Sequence, residues 1–348
     1  MTSASLLYVG SYATAEQPGI SVFRHDPASG QLQLLHQQRG LLNPSYLALH
    51  PQGHTLYAAS ETVLDKDGQP GQVLALRLSP EGLPLHPLPA QASGGDSPCH
   101  LSVHPSGRML YVANYVSGTV AALPLAEDGT PGPAEVLHQL QGQGPDPERQ
   151  DGPHAHEVHL SPDGQWLLVP DLGSDRVVIF RLDPDGRPHL HGSAAMPEGT
   201  GPRHLAFAPD GQTCYLAGEL GNSLTVFRFA DGQLHQQQNV LLSDDAQPDW
   251  LPAEVHSTAD GRHVLMSVRG PDTLAVFSVQ PDGHLQLEGH VPCGTHWPRH
   301  FCFSPDGRQV LVAGERGDTV TRLDWNGSQL GQPQPLAQLG QPTHLLFG

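Results

Sequence analysis

GPRHLAFAPDGQTCYLAG, residues 201–218, is two apolar runs hinged on Pro-Asp-Gly, and WPRHFCFSPDGRQVLVAG, residues 297–314, repeats the pattern. Proline early in the turn holds φ at about −65° and the following glycine accepts a positive φ, so the two runs pair as a hairpin. A proline opens such a run at Pro44, Pro98, Pro153 (register shifted by two), Pro202, Pro252, Pro298 and Pro342, and in six of the seven a turn and a second run follow. The steps are 54, 55, 49, 50, 46 and 44 residues. A period of about 50 residues with several strands per repeat is the mark of a β-propeller blade. Seven starts predict an all-β, seven-bladed β-propeller forming a single domain over residues 1–348.

After each hairpin come a short polar stretch, a third strand such as RVVIFRL or SLTVFRF, and a weaker fourth such as GHLQLEGHV. Four antiparallel strands per blade follow, with the first two most apolar. Helix has almost no support. The chain begins inside a repeat, LLYVGSY then ISVFRHD then LQLLHQQ, and finishes on a lone proline-led run, PTHLLFG. The closing blade is therefore expected to combine one C-terminal strand with three N-terminal ones.

Composition narrows the function. Seventeen basic against 35 acidic residues give a net charge of −18, and Lys66 is the sole lysine. Such a surface repels phosphate backbones and anionic headgroups, which argues against nucleic acid and membrane partners. Cys99, Cys214, Cys293 and Cys302 show no CxxC spacing, and MTSASLLYVGSY lacks the basic and apolar regions of a leader. The expectation is a cytoplasmic protein with free thiols.

The six complete hairpins can be superposed on Gly53, Gly107, Gly164, Gly211, Gly261 and Gly307. Eight residues before the glycine stand Ser45, Cys99, His156, Arg203, Ala253 and Arg299; eight after stand Glu61, Tyr115, Leu172, Glu219, Arg269 and Glu315. Positions equally far from a turn share the hairpin end opposite it, so His156, Arg203, Glu219, Arg269 and Arg299 are expected on one face. Residue types in these columns change from blade to blade, as a ligand site requires. One position further in, Tyr46, His100, Glu157, His204, Glu254, His300 and His344 recur. That regularity predicts a structural role, hydrogen bonding between neighbouring blades. His154 and His156 form an H-x-H pair that reads as an inner strand, and Asp171 and Asp175 read as turn-amide acceptors. A metal needs a third ligand, and none stands at a recognisable spacing. The expectation is no metal and no cofactor.

In PERQDGPHAHEVHLSPDG (147–164), PDLGSDRVVIF (170–180), GPRHLAFAPDG (201–211), ELGNSLTVF (219–227), AEVHSTADGRHVLMSVRG (253–270) and WPRHFCFSPDG (297–307), the chain resembles the propeller-type lactonases. That group holds bacterial 6-phosphogluconolactonases and a related fungal carboxymuconate-cyclising enzyme. The resemblance implies site residues at His156 (or His154), Arg203, Glu219 and Arg269, with Arg149 and Gln150 at the border. Val268 stands where the family usually has asparagine. Opening a sugar lactone needs a base for water, a cation for the oxyanion and a hold on the substrate. Glu219 and His156 are both candidate bases. The assignment takes Glu219 as base, Arg203 for the oxyanion, Arg269 and Arg149 for a phosphate, and His156 as acid, with Gln150, His154 and Arg299 also binding substrate. The expected partner is a small phosphorylated sugar lactone. A muconate-type cycloisomerase and a non-catalytic interaction propeller are the competing readings.

Overall fold

All six turn glycines take φ between 67° and 72°, the left-handed region where a side chain is strained. In the computed structural model, which describes residues 5–243, 247 and 249–348, the runs around them pair antiparallel. The strands form seven four-stranded sheets, and in six of them neighbours follow in chain order. The fold is the seven-bladed β-propeller expected, and its single α-helix among the described residues is one turn, Leu64–Asp67.

Two compact units divide the chain. One comprises Leu41–Arg203 and Phe229–Leu234; the other comprises Met1–Gly40, His204–Arg228 and His235–Gly348. Within the first, Leu110, Val112, Ala121 and Leu123 of the Pro98 blade pack on Tyr57, Ala59, Val73 and Ala75 of the Pro44 blade. Each large apolar side chain buried this way contributes roughly 1.5–3 kcal/mol. Two phenols pin blade to blade: the Tyr57 hydroxyl donates to the Gly129 carbonyl at 2.7 Å and the Tyr111 hydroxyl to Gly186 at 2.5 Å. Burial pushes both phenols well above their ordinary range.

In the second unit, Val264, Met266 and Phe277 of the Pro252 blade pack on Tyr215 and Val226 of the Pro202 blade. The closing blade is the one expected: Pro342–Phe347 pairs antiparallel with Ser5–Ser11, from Leu7 opposite Phe347 to Gly10 opposite His344. The Gly348 amide donates to the Leu6 carbonyl at 3.0 Å, extending the ladder to the last residue.

Inner strands carry a feature absent from the sequence reading. Pairing slips by one residue after the opening proline, leaving Ser45, Cys99 and Arg299 as the extra residue of a β-bulge. A bulge bends the strand and re-aims its side chains. It falls on the column whose residue types vary most.

The Pro153 blade departs from expectation. His154–Val158 is not a regular strand: an isolated bridge joins Ala155 to Asp171, and only His159–Leu160 pairs as a strand. Pro170 on the facing strand supplies a carbonyl to the His156 amide at 2.9 Å but has no N–H to return. The Cys99 thiol lies against the His156 carbonyl instead, at 3.3 Å.

Candidate active site

In the second unit, Arg269 ends the second strand of the Pro252 hairpin and Glu219 directly follows that of the Pro202 hairpin. Arg269 Nη2 lies 2.7 Å from Glu219 Oε2, with the residues 5% and 1% exposed. Arg269 also donates from Nε to the Leu251 carbonyl at 3.1 Å and from Nη2 to the Pro252 carbonyl at 3.2 Å. These bonds hold the guanidinium square to the strand end and leave it committed to orienting Glu219. In the next blade Arg299 Nη1 stands 3.5 Å from Glu315 Oε2, with its guanidinium 5.4 Å from the Tyr12 ring centre. Both pairs join residues that the superposition put at the turn-distal end of hairpins.

The Trp297 ring has two guanidinium neighbours, Arg269 at 5.6 Å and Arg316 at 3.5 Å from its centre. Sequence reading missed both Trp297 and Arg316. Trp297 was visible only as the residue before Pro298, and Arg316 lies one step beyond the compared column.

In the first unit a second group gathers on Tyr115. His154 stacks on its ring at 4.5 Å and 12°, and His156 meets it edge-on at 5.4 Å. Arg149 Nη2 donates to the Tyr115 hydroxyl at 3.4 Å. His154 Nδ1 lies 2.9 Å from the Tyr115 carbonyl and Nε2 lies 3.3 Å from Asp151 Oδ1. Gln150 is buried and donates to the Leu172 carbonyl at 2.8 Å, so it pins the loop rather than facing solvent. Arg203, on the inner strand Pro202–Phe207, is buried as well. Ser45 Oγ donates to Glu61 at 2.6 Å, one more pair between the two superposed columns.

Asp171 accepts from the amides of His154, Gly173 and Ser174, and Asp175 from those of Gly199 and Gly201. Both are the turn acceptors expected. Burial outweighs these bonds at Asp171 and raises its pKa above the ordinary carboxylate value.

The recurring column is a set of staples between blades, as expected. His100 lies 3.6 Å from Glu157; His204 and His300 lie 2.9 and 3.3 Å from the two-sided Glu254. The same strand adds a partner two residues on, His159 to Glu157 at 2.8 Å and His256 to Glu254 at 3.6 Å. This Glu-Val-His motif occurs twice, at 157–159 and 254–256, and could have been found in the sequence. Glu254, His256 and His300 are the residues whose donor atoms converge enough to hold a metal among the described residues. However, the Leu345 amide donates to His300 Nδ1 at 3.4 Å, which leaves the proton on the nitrogen facing Glu254. The arrangement is that of a hydrogen-bonded staple.

A seven-bladed propeller that presents a buried carboxylate–guanidinium pair at strand ends defines a class of protein built to act on a small polar ligand. The chain belongs to the family described as "Lactonase, 7-bladed beta-propeller", whose model matches residues 6–347. It is 34% identical to the 6-phosphogluconolactonase of Bacillus subtilis over 94% of this chain and 96% of that one. It is 29% identical to the 6-phosphogluconolactonase of Formosa agariphila, covering 98% and 99%. Among solved structures, the periplasmic gluconolactonase of Pseudomonas aeruginosa superposes with a TM-score of 0.92 at 34% identity, covering 99% of each chain. Among the described residues no helix is long and apolar enough to cross a membrane.

Proposed function

We propose that this protein hydrolyses 6-phosphoglucono-1,5-lactone to 6-phosphogluconate, the lactone-opening step of the oxidative pentose phosphate route. The observation that carries the reading is the buried Glu219–Arg269 pair in a chain of the lactonase family. Water adds to the lactone carbonyl, an oxyanion forms, and the bond to the ring oxygen breaks as that oxygen takes a proton. Glu219 accepts the proton from water, and Arg269 keeps the carboxylate aimed. Guanidinium groups suit the oxyanion, the role given to Arg203, and His156 is assigned as the acid. Arg149, Gln150, His154 and Arg299 are assigned to substrate binding, each to be tested by its own variant.

Purified protein should accelerate the loss of freshly made lactone above its spontaneous rate, and Glu219→Gln should abolish that acceleration. Wild-type protein with no effect on lactone decay would overturn the reading. We further propose a cytoplasmic location, supported by four cysteines of which none is in a disulfide; the Pseudomonas neighbour is periplasmic, so cell fractionation decides it.

A further inference from the structure

Arg269, Arg299 and Arg316 are held in unequal ways. Arg269 is buried and donates to Glu219 and two carbonyls, and Arg299 is paired with Glu315. Arg316 is exposed, and among the described residues it makes no ion pair and no hydrogen bond. It lies over the face of Trp297, whose ring centre is 3.5 Å from the guanidinium carbon. On a chain of net charge −18, an unpaired cation held on an indole face is an unusual feature.

Trp297 is itself held in a disfavoured state. Its φ is 60°, and the residue before the blade-opening proline takes a similar angle at Asn43, Ser97, Gly201 and Gln341. Those side chains are small, polar or absent, whereas a bulky aromatic ring at positive φ is strained. The surroundings enforce it. Asp272 Oδ1 accepts the Trp297 amide at 2.8 Å and Asp272 Oδ2 meets His296 Nδ1 at 2.6 Å. The Trp297 carbonyl accepts the Glu315 amide at 3.1 Å, and the Gly317 amide donates to the His296 carbonyl at 3.1 Å. A Cβ on Gly317 would lie 2.3 Å from Thr295 Oγ1, so the loop carrying Arg316 lies as close to the loop carrying Trp297 as backbone allows. Strain that the surroundings over-determine marks a place where a side chain is wanted for its position.

We propose that Arg316, laid on Trp297, is the subsite that binds the phosphate of the substrate. Stacking occupies the face of the guanidinium and leaves its in-plane N–H groups outward, the fork that takes two phosphate oxygens. The contacts Glu219 to Arg269, Arg269 to Trp297 and Trp297 to Arg316 tie this subsite to the carboxylate assigned as base. The assignment rests on the lactonase reading for its substrate and moves the phosphate from Arg269, which is buried against Glu219, to Arg316.

Calorimetry on the full chain with 6-phosphogluconate and with gluconate tests the subsite without turnover. Arg316→Gln, an exposed change, should weaken 6-phosphogluconate about ten- to a hundredfold and leave gluconate unchanged. Trp297→Asn, which installs the residue of the Asn43 position, should do the same by removing the platform, with a cooperative melt retained. In turnover, both variants should raise KM for the phosphorylated lactone and spare that for the unphosphorylated one. Unchanged 6-phosphogluconate binding in Arg316→Gln, equal loss of both ligands, or no binding by the wild type would overturn the proposal. Wild-type protein that binds 6-phosphogluconate through Arg316 yet opens no lactone would instead overturn the lactonase reading and leave the anion subsite standing.

Discussion

Glu219 and Arg269 reach each other from neighbouring blades, 2.7 Å apart and both nearly excluded from water. Removing one partner of such a pair strands a buried charge, at a cost of about 3–5 kcal/mol. Arg269→Met should therefore lower unfolding free energy by about that amount, and Glu219→Gln/Arg269→Met should recover much of the loss because no charge remains. Urea melts of the two single variants and the double variant measure the coupling. Additive losses would mean that the pair is not a unit.

The turn glycines separate strain from collision. Gly53 and Gly107 share φ near 70°, but a Cβ on Gly53 meets nothing within 4 Å, while one on Gly107 lies 2.7 Å from the His50 ring. That ring also bonds the Gly107 carbonyl through Nε2 at 3.1 Å, tying two blades. Gly53→Ala should cost about 1–2 kcal/mol, the left-handed penalty alone. Gly107→Ala should cost more, since His50 must move and its bond weakens. Equal thermal shifts would show that the collision is relieved freely.

How far these features could be read beforehand depends on what each one needs. Pro-Asp-Gly between apolar runs fixes a local hairpin, so blade number, strand count and the closing blade at Pro342 were legible. The staples were legible too, because a His or Glu recurring in six of the seven blades answers a repeated need for a partner. Pairing of Glu219 with Arg269 was not, since it depends on the approach of separate blades. Pro170 was on the page, yet its missing N–H matters only once it faces His156. Trp297 was masked by the proline after it, which ordinarily implies an extended residue. Arg316 stood outside the compared columns because the turn from 315 to 318 folds it back onto Trp297.

Pro342–Phe347 is the inner strand of the closing blade, and Leu345 packs with Leu7, Val9, Phe23 and Leu311. Deleting Pro342–Gly348 strips one whole edge from Ser5–Ser11 and uncovers that cluster. The truncated chain should lose cooperative melting or aggregate, and adding the missing heptapeptide in excess should restore part of the transition through strand addition. A truncated chain melting like the full one would mean the last strand adds nothing to closure.

His344 makes stability depend on pH. Burial, reinforced by the charge of His256, holds its pKa down at about 3 against an ordinary 6.5, and its ring lies 4.2 Å from that of His300. Above pH 6.5 neither the folded nor the unfolded chain protonates this residue, so its neutral state costs nothing. As pH falls below 6.5 the unfolded chain takes up a proton that the folded chain refuses, and stability drops by about 1.4 kcal/mol per pH unit until the folded group titrates. His344→Gln removes this one slope and leaves those of the other groups. Between pH 7 and pH 5 the wild type should therefore lose about 2 kcal/mol more than the variant in denaturant melts. Parallel pH profiles would show that the folded chain protonates His344 as readily as the unfolded chain does, and that burial does not hold its pKa down.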